Sequence, residues 1–95
     1  MAAYTLDRSI TEPLTKVFTT RALAATEDSY TYSDPRNGIT TLELTGDIAW
    51  SFRSSSGGPS YGIAASTAFR FPVESMATFY VIAGGAGNLS MVALG

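Results

Sequence analysis

The chain has 95 residues, enough for one domain with a modest core, so we expect it to oligomerise or to dock onto a larger body. It contains no cysteine and no histidine, which excludes a disulfide scaffold, a thiolate metal site and the commonest general base. The net charge is −2 and the few lysine and arginine residues are scattered, so we expect neither nucleic acid nor an anionic membrane surface as a partner.

Only 15% of the residues are charged, against about a quarter in an average soluble domain. Serine, threonine, glycine and alanine replace the charge. This composition fits a β protein with a hydroxyl-rich surface, and it also fits a subunit whose surface is largely covered by other subunits. No apolar run approaches the ~18 residues of a membrane-spanning helix, and the first residues lack the regions of a secretory signal, so we expect assembly in the cytoplasm.

The N-terminal stretch has no clear hydrophobic period, and Pro13 favours an extended conformation at Glu12. We interpret residues 1–12 as an N-terminal arm or an edge strand, and residues 13–95 as the folded domain. The arm has apolar anchors among polar residues, so we expect it to lie on a neighbouring subunit or a larger body. These anchors are Tyr4, Leu6 and Ile10.

Residues 14–25 are the most ambiguous part of the sequence. Apolar side chains recur there at helical spacing, and a threonine and a proline suitable for a helix N-terminus precede them. These residues are Thr11, Pro13, Leu14, Val17, Phe18 and Ala22. Residues 16–20 are instead rich in β-branched and aromatic types, which favours a strand. We predict a strand, because the rest of the chain has strand patterns, with a helix as the alternative.

The clearest strand signal lies between positions 42 and 52, where every even-numbered residue is apolar or glycine. This period of two predicts one strand, or two in line, with one face buried. Gly46 and Asp47 are expected to mark a bend or bulge inside it. Before it, residues 30–32 predict a short strand and residues 34–38, Asp-Pro-Arg-Asn-Gly, predict a tight turn.

The second half of the chain repeats this pattern. Residues 53–62 predict a flexible Ser/Gly loop. Residues 67–73 alternate again, and Pro72 has to end a strand or lie on an edge because it lacks an amide proton. Residues 78–83 predict a strand buried on both faces. A glycine-rich hairpin loop and a last strand over residues 89–94 follow.

Together these elements predict an all-β fold: a single antiparallel β-sandwich, jelly-roll-like, of about seven short strands. An α+β domain with one helix at 14–25 is the alternative. The predicted core comprises Leu44, Ile48, Trp50, Phe52, Phe69, Phe71, Phe79 and Val81.

No grouping of residues in the sequence predicts catalysis. Without histidine a serine nucleophile needs another base, and the only lysine, Lys16, lies in no recognisable motif. Glu43 and Asp47 are interpreted as solvated residues on one strand face, and the glycine-rich stretches lack the helix or lysine of a phosphate-binding loop. We therefore predict no catalytic residue, no cofactor and no metal site.

Tyrosine and arginine are enriched at the centres of protein interfaces. The patterns above place several of them in or near loops or in the arm, where they would form a contact patch or a carbohydrate platform. With the apolar anchors of the arm, the candidate interface residues are Tyr4, Leu6, Ile10, Tyr30, Tyr32, Arg36, Arg53 and Tyr61.

The order of motifs over residues 42–95 resembles that of a known family. IAWSF (48–52) precedes a Ser/Gly loop, small residues lead to FRFPV (69–73), and TFYV (78–81) is followed by a glycine-rich turn and a short terminal strand. This order is similar to that of the small β-sandwich decoration or cement proteins that coat the capsids of tailed bacteriophages.

The resemblance implies a non-enzymatic virion protein, assembled in the host cytoplasm, that binds the outer capsid surface and stabilises the shell by bridging subunits. Its partners would be the major capsid protein or other virion subunits, and it would be a homo-oligomer, with a trimer favoured. The family has no invariant site to carry over. The alternatives are a small carbohydrate-binding or tail-associated adhesion module, and a tail or neck subunit.

Overall fold

The structure is a computed structural model that describes residues 2–8, 15–35 and 38–94, and all regular secondary structure within them is β-strand. The strands are β1 (Ala3–Asp7), β2 (Lys16–Val17), β3 (Arg21–Leu23), β4 (Asp28–Ser33), β5 (Thr40–Gly46), β6 (Trp50–Arg53), β7 (Tyr61–Ile63), β8 (Phe69–Val73), β9 (Thr78–Ala83) and β10 (Gly87–Leu94). The prediction of an all-β fold is confirmed. The described residues contain ten strands instead of about seven, because several short edge strands have weak sequence patterns.

The strands form two sheets that pack against each other. Sheet A has the order β1-β4-β9-β6-β7, and sheet B has the order β2-β10-β5-β8, with β3 also paired to β10. Every pair is antiparallel except β1 with β4. This parallel pair departs from the wholly antiparallel arrangement predicted. After β1 the chain contributes β2 and β3 to sheet B, and only then does it return to sheet A as β4 and pair with β1.

The alternating segment supplies one strand to each sheet. β5 belongs to sheet B and β6 to sheet A, and both bury their even-numbered side chains. The chain bends after Gly46, where an added Cβ would lie 2.6 Å from Trp50 Cδ1 and 2.9 Å from the Ile48 carbonyl oxygen. The predicted bend is present, and it transfers the chain between sheets without changing which residues face inward.

Segment 14–25 forms β2 and β3, so the helix considered as an alternative is absent from its described part. The two short strands lie one after the other along β10, where Val17 is paired with Val92 and Ala22 with Asn88. Between them the Phe18 amide donates to the Met91 carbonyl oxygen at 2.9 Å. The β-branched and aromatic residues therefore outweigh the helical spacing, because β10 offers a free edge for pairing.

One core lies between the sheets. It consists of Leu6, Leu23, Tyr30, Tyr32, Leu42, Leu44, Trp50, Phe52, Ile63, Val73, Phe79, Val81, Ala83, Leu89, Met91 and Ala93. Aromatic rings connect the sheets across it: the ring centroids of Phe52 and Phe71 lie 4.8 Å apart, and those of Phe71 and Phe79 lie 5.2 Å apart. Such pairs add to the stability that apolar burial gives.

Most of the predicted core is confirmed. Ile48, Phe69 and Phe71 are the exceptions, since they are half-buried against the core. The two phenylalanines lie on β8, the edge strand of sheet B, and so have neighbouring strands on one side only. Pro72 also lies on β8, as its missing amide proton predicted.

Candidate assembly surface

Four of the predicted interface side chains belong to the interior. Tyr30 and Tyr32 are 0% and 1% exposed, and Leu6 is 2% exposed. Tyr4 is half-buried and stacks on Tyr30, with the ring centroids 5.2 Å apart. The predicted strand over residues 30–32 and the edge-strand interpretation of the N-terminal stretch agree with β4 and β1. Placement of these side chains near loops or in a free arm is wrong, because the even-numbered residues of the two paired strands face the core.

The remaining candidates lie on the surface or outside the described residues. Arg53 donates from Nη2 to both carboxylate oxygens of Glu27 and lies over the ring of Tyr80, so its side chain is held within the domain. Tyr61, on the edge strand β7, is 56% exposed. Ile10 and Arg36 lie outside the described residues.

Strand pairing brings together apolar residues that the sequence does not mark as a group. Val17 is paired with Val92, Leu94 with Thr41, and Thr41 with Pro72. Paired residues project from the same face of a sheet. In β5 and β10 the buried residues alternate with these positions. All of these side chains therefore lie on the outer face of sheet B.

Ile39 extends this surface at one end, two positions before Thr41 and therefore on the same side of the strand. It is 68% exposed, and Val17 at the other end is 73% exposed. Ile39 and Pro72 line a depression of about 330 Å³. We call the group the apolar face, and it consists of Val17, Ile39, Pro72, Val92 and Leu94.

Polar groups lie within and beside the apolar face. Arg70 donates from Nε to Glu43 Oε2 at 2.6 Å, on the same row as Val92. The Arg70 side chain is 65% exposed, so this pair contributes little to folding. Thr41 and Glu43 of the interior strand β5 lie between the apolar residues, so this surface mixes apolar, hydroxyl and charged groups, as non-obligate protein interfaces do.

The outer face of sheet A has a different chemistry. Thr5, Thr31 and Thr78 are paired in one row across three strands, and the Thr31 and Thr78 hydroxyl oxygens lie 2.9 Å apart. Ser33 and Ser51 lie on the same face. A shallow groove of about 580 Å³ crosses its β7 end, lined largely by alanine and glycine together with Ile82 and Ser51. The outer face of sheet A is therefore rich in hydroxyl groups, and that of sheet B combines the apolar residues with Thr41, Glu43, Thr45 and Ser90.

Two polar atoms in the core lack a hydrogen-bond partner among the described residues, Tyr30 Oη and Trp50 Nε1. Burial raises the pKa of Tyr30 to about 12, and the negative charge of Asp28 adds to the effect. The hydroxyl therefore keeps its proton at neutral pH and provides no base for catalysis.

The described part of the chain brings together no group of three acidic side chains that could hold a metal ion. In the same residues there is no helix long and apolar enough to cross a membrane. Comparison with protein-family models, curated proteins and solved structures finds no match. The function therefore has to be inferred from the surface itself.

Proposed function

We propose that this protein is a non-enzymatic structural component of a tailed-phage virion, a decoration or cement protein of jelly-roll-like sandwich fold. In this proposal it binds the outer capsid shell and stabilises it by bridging subunits. The observation that supports it is the group of exposed apolar side chains on the outer face of sheet B. Val17 and Ile39 are 73% and 68% exposed there, which fits burial against another virion subunit.

The size of the apolar face also fits binding to a repetitive surface. Four strands about 4.8 Å apart, over about five residues that rise about 3.4 Å each, give a footprint of roughly 300 Å². A stable pairwise complex buries about 800 Å² per partner. One copy on one shell subunit is therefore expected to bind weakly, and repeated or linked contacts supply the avidity.

The carbohydrate-binding alternative depends on exposed tyrosines around a groove of sugar size. Tyr30 and Tyr32 lie in the core, and Tyr61 is the exposed tyrosine among the candidates. The 580 Å³ groove is lined by no aromatic side chain other than Trp50, whose ring belongs to the core. The geometry thus favours assembly over sugar binding.

The test uses particles purified on a density gradient from cells that express the chain together with the virus that encodes it. Val17→Asp and Leu94→Asp each place a charge in the apolar face. Thr5→Asp places the same charge on the hydroxyl-rich face and serves as the matched control. Mass spectrometry measures the amount of chain in the particle band, and circular dichroism checks that each variant folds.

We expect the native chain and Thr5→Asp to be found in the particle band, and the two apolar-face variants to be depleted from it. Particles that lose the chain should also break at a lower temperature, because bridging contacts are missing. A folded native chain that never accompanies particles would overturn the proposal. Equal loading of all variants would show that another surface makes the contact.

A further inference from the structure

Strand β1 differs from all the other strands in how the chain holds it in its sheet. It lies at the edge of sheet A and pairs in parallel with β4 over five residue pairs. A parallel pair needs a long connection, and here β2 and β3, which belong to sheet B, lie between β1 and β4 in the chain. The ladder with β4, and not the local chain path, therefore determines where β1 lies.

The surface that receives β1 is a specific site on β4. The Arg8 amide donates to the Ser33 carbonyl oxygen at 2.8 Å, and the Ser29 amide donates to the Ala2 carbonyl oxygen at 2.9 Å. These bonds hold both ends of the strand. Between them the Leu6 side chain enters the core, where it is 2% exposed.

The second anchor of β1 is Tyr4. Its ring stacks on Tyr30, and the guanidinium carbon of Arg21 lies 4.6 Å from its ring centroid. If β1 leaves, Tyr30 and the space around Leu6 become exposed to water, which costs free energy. The site on β4 therefore has to be filled, although any chain with the same β1 sequence fills it equally well.

The connection after β1 is long enough for an exchange between copies. Eight residues separate Asp7 from Lys16, and they span at most about 27 Å when extended. The folded chain measures 37 × 25 × 19 Å along its principal axes. The extended connection is thus longer than the two shorter dimensions of the domain, so β1 can enter the sheet of a copy that packs along either of them.

We propose that β1 is an exchanged strand, which occupies the β4 edge of a second copy of this chain when the protein assembles. The exchange replaces each contact of β1 by the identical contact in another copy, so it changes no bond type and costs little energy. Exchange of an identical element is a low-cost route to oligomers. A closed set of copies linked in this way leaves no β4 edge unpaired.

This inference deepens the proposed function, since linked copies supply the repeated contacts that a weak apolar face needs. It is tested on the purified chain without particles, so that either proposal can fail while the other stands. A chain that exchanges β1 but never binds particles contradicts the proposed function alone. A chain that binds particles as unlinked monomers contradicts the exchange alone.

The experiment uses the absence of cysteine from the chain. Thr5 and Thr31 are paired between β1 and β4 on the outer face of sheet A, where engineered thiols are accessible. Purified Thr5→Cys and Thr31→Cys chains are mixed, incubated at high concentration and treated with a short bis-maleimide. Linking of the two different chains above the background of each single variant then reports β1 of one copy beside β4 of the other.

The matched control is a mixture of Ser51→Cys and Ile82→Cys chains. These residues are paired between β6 and β9, two interior strands of the same sheet. The double variant Thr5→Cys/Thr31→Cys shows that the reagent spans the β1–β4 pair. Denaturing gels and intact-mass spectrometry count the linked chains.

We expect the Thr5→Cys and Thr31→Cys mixture to give linked heterodimers. If the two chains are present in equal amounts and β1 exchanges at random, about half of the Thr31→Cys chains receive β1 from a Thr5→Cys chain. The control mixture should give only the background that each single variant gives alone. Linking that is confined to single chains of the double variant, with only background in the mixture, would overturn the proposal. Light scattering of the native chain should show oligomers that dissociate on dilution.

Discussion

The bend after Gly46 shows how one residue can determine the path of a whole chain. A Cβ at this position would meet the Trp50 ring and the Ile48 carbonyl oxygen, both of which are fixed by the core and by the turn. Gly62 is the natural comparison, because a Cβ there would meet nothing within 4 Å. The close approach, and not a special backbone angle, is what requires glycine at position 46.

Gly46→Ala should therefore destabilise the fold by about 1–3 kcal/mol, the usual cost of overpacking a core. Gly62→Ala should change stability by less than about 0.5 kcal/mol, as an exposed substitution does. Urea denaturation followed by tryptophan fluorescence measures both. Equal stability of the two variants would mean that Trp50 moves freely away from position 46.

Tyr30 gives the protein a pH dependence in the alkaline range. Its pKa is raised from 10.0 to about 12 by burial, with a further contribution from Asp28, so the folded state keeps a proton that the unfolded state loses above pH 10. The resulting stability is complete below pH 10 and is lost as the pH rises from 10 towards 12. Denaturation between pH 9 and 11 should show a smaller fall for Tyr30→Phe than for the native chain. Tyr61→Phe, at an exposed position, should behave like the native chain.

At the scale of elements, the structure changes the expectation for the N-terminal segment. An arm outside the domain could be removed without loss of stability, but β1 contributes Leu6 to the core and covers Tyr30. Strand β4 would also lose the partner along one edge, and unpaired edges promote aggregation. The segment is part of the fold whether its strand belongs to the same copy or to a neighbour.

Deletion of residues 1–8 should consequently lower the free energy of unfolding by about 2–5 kcal/mol, the range found for removing a large buried apolar side chain. Thermal denaturation of the purified protein measures the loss. Thr5→Ala, which shortens an exposed side chain and leaves the β1 backbone in place, is the control. An unchanged melting temperature after the longer deletion would show that β1 does not support the core.

At the scale of the whole molecule, the sheets are built from strands that are far apart in sequence. β4 pairs with β9, and β5 pairs with both β8 and β10. Forming such pairs requires the closure of long loops before the contacts repay the entropy. The topology also brings Val17, Val92 and Leu94 onto one outer face, which is a property of the assembled sheet and of no single strand.

We therefore expect folding in milliseconds to seconds, as is usual for all-β domains with non-local pairing. Stopped-flow dilution from urea, followed through Trp50 fluorescence, measures the rate. Folding in microseconds would contradict the topology. The measurement should be made at low concentration, where association between copies is slow.

The sequence by itself determined the properties that depend on local period and residue type. The alternation around Leu44 and Trp50 and the position of Pro72 predict strands, their buried faces and an edge, because strand geometry alternates residue by residue. Local period and residue type did not predict the apolar face. Val92 and Leu94 follow Asn88 and Ser90 on the outward side of β10, where their own residue types do not mark them as exposed, and Val17 and Ile39 are distant in sequence. Only the pairing of β10 with β2 and β5 decided that these residues share one surface, as only the pairing of β1 with β4 decided that Tyr30 is buried.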